Sequence, residues 1–385
     1  MEKVMKFLFI VLLAGTIAFV TQVFAEDAKP ASPAISADDL KKALGISFYV
    51  QGGYTYNGNA SDGATQSSEN DLRVFDHKAN SFTLDLAEIV ISKDTTTVNT
   101  SGYKIKLAAG ETAKWIHARG LSGAPLNQPQ TGEGTDAFDL TEAYVSYLAP
   151  IGRGLRFDLG KMVTYFGAEV IEAIDNPNYS RSFLYNYATP ITHTGLKMSY
   201  GFTDALSASV YVVNGWDNAE DNNTGKSLGV SIGYAPADVF SGYVNYMTGP
   251  EQDSNNHDQR TLVDLVATVK PVKPLSIILN YDDGMEEHAV ASGKATWNGF
   301  AGIVKYDFND TYSLSVRGEY FDDQDGFRTG AAQQLTEWTV TPEIRLAGGL
   351  VVRPEYRHDA SNKQSFDNGT KKSQDTLALG VMYRW

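Results

Sequence analysis

Several stretches of this chain place charged residues at every second position, alternating with an apolar row. Arg317 and Glu319 follow this spacing, as do Glu343 and Arg345, then Arg353, Glu355 and Arg357. Arg156 with Asp158, Lys197 and Arg384 stand in the same relation to their neighbours. A spacing of two puts side chains on one face of an extended strand. Guanidinium and carboxylate groups arrayed in this way can pair with one another, order water, and attract or repel charged solutes. They are not arranged to break a bond.

Residues suited to covalent chemistry are poorly placed. The six histidines (77, 117, 193, 257, 288 and 358) fall mostly in polar links or near strand ends, and none forms an H-x-x-x-H pair. A membrane hydrolase would need a Ser/His pair at its rim, and His193 beside Thr194 is the nearest approach. The run Thr224-Gly-Lys-Ser227 lacks the first glycine of a phosphate loop, because Glu220 occupies that place. No cysteine is present, which excludes disulfide scaffolds, thiolate metal sites and c-type haem attachment. The expectation is a non-enzyme with no catalytic, metal or cofactor site.

The elements that carry the charges are strands. Apolar residues alternate from Phe48, Val50, Gly52, Tyr54 and Tyr56 through Phe82-Leu84-Leu86 and Tyr103-Ile105-Leu107 to the C-terminus. About sixteen such runs can be counted. In the last, Leu377, Leu379, Val381, Tyr383 and Trp385 share one face, and Thr376, Ala378, Gly380, Met382 and Arg384 the other. A soluble edge strand of that kind invites aggregation, whereas a closed membrane barrel needs it. Leu379, Val381, Tyr383 and Trp385 also resemble the terminal signal by which barrel-assembly machinery recognises its clients. The last strand of a secreted β-sandwich is the alternative.

The links decide between them. Short links such as 149–154, 201–204, 235–238, 307–310 and 347–349 alternate with long polar ones such as 57–80, 110–136, 162–189 and 359–374. A Greek-key sandwich gives no such alternation; an up-and-down barrel does. The predicted fold is therefore all-β, a transmembrane antiparallel barrel over 47–385 with tight periplasmic turns and long external loops. A cation on the lipid face costs about 2–4 kcal/mol at mid-membrane. Arg156, Asp158, Lys197, Arg317, Glu319, Glu343, Arg345, Arg353, Glu355, Arg357 and Arg384 should accordingly line the lumen. The external loops read as acidic, through Asp282, Asp283, Glu286, Glu287, Asp322, Asp323 and Asp325.

The N-terminus agrees with export. Lys3 and Lys6 precede the apolar run Phe7 to Val20, and Val23-Phe24-Ala25 reads as a cleavage site, so residues 1–25 form a signal peptide. Removing them takes away Glu2, Lys3 and Lys6 and moves the net charge from −14 to −15. Nucleic acid is an unsuitable partner at that charge. Residues 26–46 form a separate periplasmic segment, extended around Pro30 and Pro33, with Ser36 to Leu44 suited to a short capped helix.

Four stretches carry a family resemblance. They are Gly160-Lys-Met-Val-Thr-Tyr-Phe-Gly-Ala-Glu169, Asn176-Pro-Asn-Tyr-Ser-Arg-Ser182, Thr194-Gly-Leu and Val213-Asn-Gly-Trp-Asp217. Together with the strand pattern over most of 47–385 they resemble the OmpL-like β-barrel porins of Gram-negative outer membranes. The resemblance implies a location in outer-membrane lipid and is silent on the solute. A closed barrel of about sixteen strands leaves a water-filled lumen, so the expected function is a diffusion channel for small polar solutes or ions, and a homotrimer would fit. The resemblance also implies that the third long loop, 162–189, folds inward. That loop carries Glu169, Glu172, Asp175 and Arg181, with Phe183, Leu184, Tyr185 and Tyr187 available to pack on a wall. The loop lying over the mouth, or loop 110–136 with Trp115 and Ile116 as the plug, are the alternatives. A plugged barrel serving as an adhesin or docking surface is the competing function.

Overall fold

A computed structural model describes residues 45–61, 69–121 and 136–385. The expected signal peptide and residues 26–44 lie outside these. Sixteen strands form one closed antiparallel sheet, each bonded to its sequence neighbours and the last to the first. The first eight are β1 (Ile46–Asn57), β2 (Ser81–Lys93), β3 (Thr100–Ala109), β4 (Phe138–Ala149), β5 (Leu155–Val163), β6 (Thr192–Gly201), β7 (Leu206–Val213) and β8 (Ser227–Ala237). The others are β9 (Phe240–Pro250), β10 (Gln259–Val272), β11 (Leu275–Val290), β12 (Gly293–Asp307), β13 (Tyr312–Asp323), β14 (Gln333–Arg345), β15 (Leu350–Ser361) and β16 (Ser373–Arg384). Charges confined to one strand face, and turns supplied every second link, leave closure as the arrangement with no unpaired edge.

Closure runs through the terminal residues. Val50 faces Tyr383, Gly52 faces Val381 and Tyr54 faces Leu379 across the β1–β16 seam. Trp385 exchanges both backbone hydrogen bonds with Phe48, at 3.0 and 2.9 Å. Their rings lie 5.2 Å apart.

The wall is uneven. About 9–11 tilted residues cross a membrane core. Strand β7 has 8 residues, whereas β10, β11 and β12 have 14, 16 and 15. The tall hairpin corrects one expectation. Asp282, Asp283, Glu286 and Glu287 belong to β11, and Asp322 and Asp323 to β13, with Asp325 alone of that set in a loop. Strand pairing continues past the apolar band, so these acids stand on strand extensions instead of loop tips. A second correction concerns β2. Gln51 faces Leu86 and Gly52 faces Leu84, so Asp85 is the extra residue of a β-bulge. The bulge flips the alternation: Phe82 and Leu84 are exposed toward lipid, but Leu86 is fully buried inside.

We name the long links L1 to L8 in chain order. L1 (58–80), L2 (110–137), L3 (164–191), L4 (214–226), L7 (324–332) and L8 (362–372) lie at the end opposite the turns. L2 contains a short helix, α1 (Glu111–Trp115). Apolar residues of these links meet inward-facing residues of the strands inside the sheet. Phe183, Tyr187, Trp216, Trp297, Phe321 and Phe366 form one buried cluster, and Tyr49, Phe75, Leu86, Ile116, Tyr179 and Tyr185 belong to another.

Candidate functional site

L3 crosses the interior and is held by the charged rows of β13 to β15, largely through its own backbone. Glu355 accepts the N–H groups of Tyr179 and Ser180 at 2.7 and 3.0 Å. Glu319 accepts those of Phe183 and Leu184 at 2.6 and 3.2 Å. Arg353 donates to the carbonyls of Ala173 and Asn178, and Arg357 to that of Arg181. Arg317 reaches both the Ser180 carbonyl and the Glu169 carboxylate at 2.8 Å. Buried charges of both signs thus bond to one another and to a loop whose amides would otherwise be orphaned, with Arg357 Nη2 left without a hydrogen-bond acceptor among the described residues. The start of L3 is fixed on the tall wall, where Asp264 accepts Gly167 N–H and Asn280 accepts Ala168 N–H, at 3.2 and 2.9 Å.

Glycines on the inner face receive the loop's side chains. Gly53 and Gly380 face each other across the seam, and a β-carbon at either would overlap the ring of Tyr179. The Tyr179 hydroxyl donates to Asp85 at 2.6 Å. Gly229 makes room for Tyr165 in the same way. Tyr165 stacks on Tyr211 with centroids 3.9 Å apart.

The predicted lumen residues therefore separate into two groups. Arg317, Glu319, Glu343, Arg353, Glu355 and Arg357 are buried, on the wall that L3 covers. Arg345 is half-buried at the turn end, bonded to Asp307 and Glu343. Asp158 and Lys197 border open space, with Arg156 paired to Asp158 at 2.8 Å. Arg384 is exposed and holds Asp175 through both nitrogens. Within L3, Arg181 braces the loop by donating to the Val170, Ile171 and Tyr179 carbonyls. Glu169 accepts Ser182 N–H at 2.9 Å besides Arg317. Glu172 pairs with Lys106, whose ammonium outweighs burial and holds the carboxyl below its usual range.

Two cavities, of about 500 and 510 Å³, lie beside L3 on the wall away from β13–β15 and share Lys104, Glu142, Val163 and Thr164. Lys104, Lys106, Glu88 and Glu142 join the expected lumen residues here. Three of them obey the same rule as the others, a charge opposite an apolar row; Glu88 is hidden from it by the Asp85 bulge. His193 is buried inside the sheet, its Nε2 3.1 Å from Thr164 Oγ1 and its Nδ1 3.1 Å from the Gly215 carbonyl. Among the described residues His193 bonds to these two groups and not to Thr194 or a carboxylate.

L4 and L7 meet in the outer half of the lumen. Arg328 lies over Trp216 and Trp297, 5.0 and 5.3 Å from their centroids, and burial beside Arg260 pushes its guanidinium down to about 10. Asp217 accepts the N–H groups of Ile191 and Thr192 at 2.8 and 2.9 Å, and Glu251 accepts that of Trp216 at 2.8 Å. Burial raises Asp217 to about 6 and Glu251 to about 7.

Residues 43–385 match the family described as "Putative beta-barrel porin-2, OmpL-like". The chain belongs to that family. No curated protein sequence matches it. Its fold is similar to that of an anion-selective porin from Comamonas acidovorans, at 9% identity and a TM-score of 0.59, covering 88% of this chain and 98% of that one. It is also similar to OmpF of Salmonella typhi in complex with daunomycin, at 12% identity and 0.59, covering 88% and 97%. A trimeric form of OmpT, an outer membrane protein of Vibrio cholerae, matches at 13% identity and 0.56, covering 88% and 98%. At these identities the likeness is one of fold. This OmpL-like porin is an outer-membrane β-barrel.

Proposed function

We propose that this OmpL-like porin is a narrow diffusion channel for small hydrophilic solutes and ions, with L3 as its constriction. The observation that carries the reading is asymmetry. L3 is bonded through its backbone to one charged wall, and the two cavities lie against the other. A sheet of sixteen strands encloses more space than side chains alone fill. Selectivity then comes from the charged groups that line the two cavities: Lys104, Lys197, Glu142, Asp158, Glu172, Asp175 and Arg384. The arginines of β13 to β15 act as a mount for the loop. A signal peptide ending at residue 25, insertion by barrel-assembly machinery and assembly as a homotrimer complete the reading.

One observation favours a second reading, a plugged barrel that docks partners through its loops. Trp216, Trp297, Phe183 and Phe321 are all packed out of contact with water in the outer lumen. Conductance of the refolded, signal-cleaved protein in a planar bilayer separates the two. Discrete steps support the channel, and silence from folded barrels supports the plug.

A further inference from the structure

The cavity bordered by Lys197 and Asp158 has a chemistry of its own. Its formal charges cancel, Lys104 and Lys197 against Glu142 and Asp158. Most are also paired: Lys104 to Glu142 at 2.6 Å, and Asp158 to Arg156 at 2.8 Å. Lys197 lies over the Tyr211 ring, 5.7 Å from its centroid. The wall between these charges is hydroxylic. Ser199, Ser209, Ser231 and Asn245 stand opposite one another in one row across β6 to β9, all on the inner face. The Ser209 hydroxyl donates to Ser199 at 2.8 Å, while those of Ser207 and Ser231 make no side-chain hydrogen bond among the described residues. Asn245 spends its amide nitrogen on Asp264 at 2.6 Å, leaving its buried Oδ1 with no donor. One row nearer the turns, Ser207 faces Gly233 and Gly233 faces Tyr243. The missing β-carbon at Gly233 lets the Tyr243 ring lie over it, and Tyr243 stays 47% exposed.

From this arrangement we infer that the cavity binds neutral polyhydroxylated solutes, sugars or polyols, on their way through the pore. The inference rests on the channel reading above. Three of the four lining charges are already paired, so Lys197 alone is left to attract a charged solute. A polyol meets what it needs: unbonded serine hydroxyls and an aromatic ring for the C–H face of a sugar. The volume of about 500 Å³ lies within the range of roughly 300–1,000 Å³ usual for small-molecule sites.

The test is ion current through the refolded, signal-cleaved protein in a planar bilayer, titrated with D-glucose and, separately, with glycine betaine at matched viscosity. The expected result is saturable block by glucose and none by betaine. Tyr243→Ala should raise the half-blocking concentration about fivefold with salt conductance little changed. Ser231→Ala, a smaller change, should raise it about twofold to threefold. Glucose acting no more strongly than betaine, or block unaltered in both variants, overturns the inference while leaving the channel intact. Absence of current in salt alone, from protein that has folded, defeats the channel reading itself and this inference with it.

Discussion

Replacing Glu355 with glutamine should release the middle of L3. The carboxylate accepts two loop N–H groups, from Tyr179 at 2.7 Å and Ser180 at 3.0 Å, and the Thr341 hydroxyl at 2.7 Å. Hydrogen bonds to a charged group contribute roughly 1.5–3 kcal/mol each. Glutamine keeps one acceptor oxygen and turns the other position into a donor, so one loop N–H loses its partner and the second bond loses its charge. The combined loss is about 3 kcal/mol, which is about 100-fold in the ratio of docked to released loop. Hydrogen exchange reads this directly: the Tyr179 and Ser180 amides should exchange about 100-fold faster, while the Thr376 amide in β16 does not change. Single-channel traces of the same variant should show a larger-conductance substate. If the folded variant exchanges at the parent rate at both amides, the account of how L3 is held is wrong.

Three further predictions follow from the same geometry. Burial raises Glu251 from 4.5 to about 7, so its contribution to stability is fully present below pH 4.5 and is lost as pH rises through 7, on the order of 3 kcal/mol. Exchange protection of L4 around Trp216, corrected for intrinsic rates, should therefore fall between pH 5 and pH 8, and Glu251→Gln should flatten that dependence. Lys197→Glu should move the reversal potential in a salt gradient toward cation preference; an unmoved potential would remove Lys197 from the conducting path. Trp385→Ala removes the ring that packs on Phe48, worth about 0.5–1.5 kcal/mol, and should lower both the refolding yield and the melting temperature on a heat-shift gel.

The strands were legible because the membrane imposes a strict alternation: a charge at the wrong parity is costly, so Arg317, Glu319, Glu343, Arg353, Glu355 and Arg357 all announced the inner face. Strand number followed from the same alternation. Legibility failed where one residue breaks the period. Asp85 shifts β2 by one place and sends Leu86 inward, and no local feature of that apolar run signals an extra residue. Side of origin did not reveal destination either. An inward arginine reads the same whether it meets water or a loop carbonyl, because the carbonyls of Ala173, Asn178 and Arg181 come from residues about 175–180 positions away. Gly53, Gly229 and Gly380 sit at inward parity in otherwise bulky strands, and each marks a place where a tyrosine of L3 rests.

The most direct test of the channel itself is single-channel conductance of the refolded, signal-cleaved protein compared with a variant lacking residues 168–188. The account predicts small, discrete steps from the parent and steps several-fold larger once the loop is removed. Equal conductance from both would contradict L3 as the constriction. Silence from both, in barrels shown to be folded, would contradict the channel.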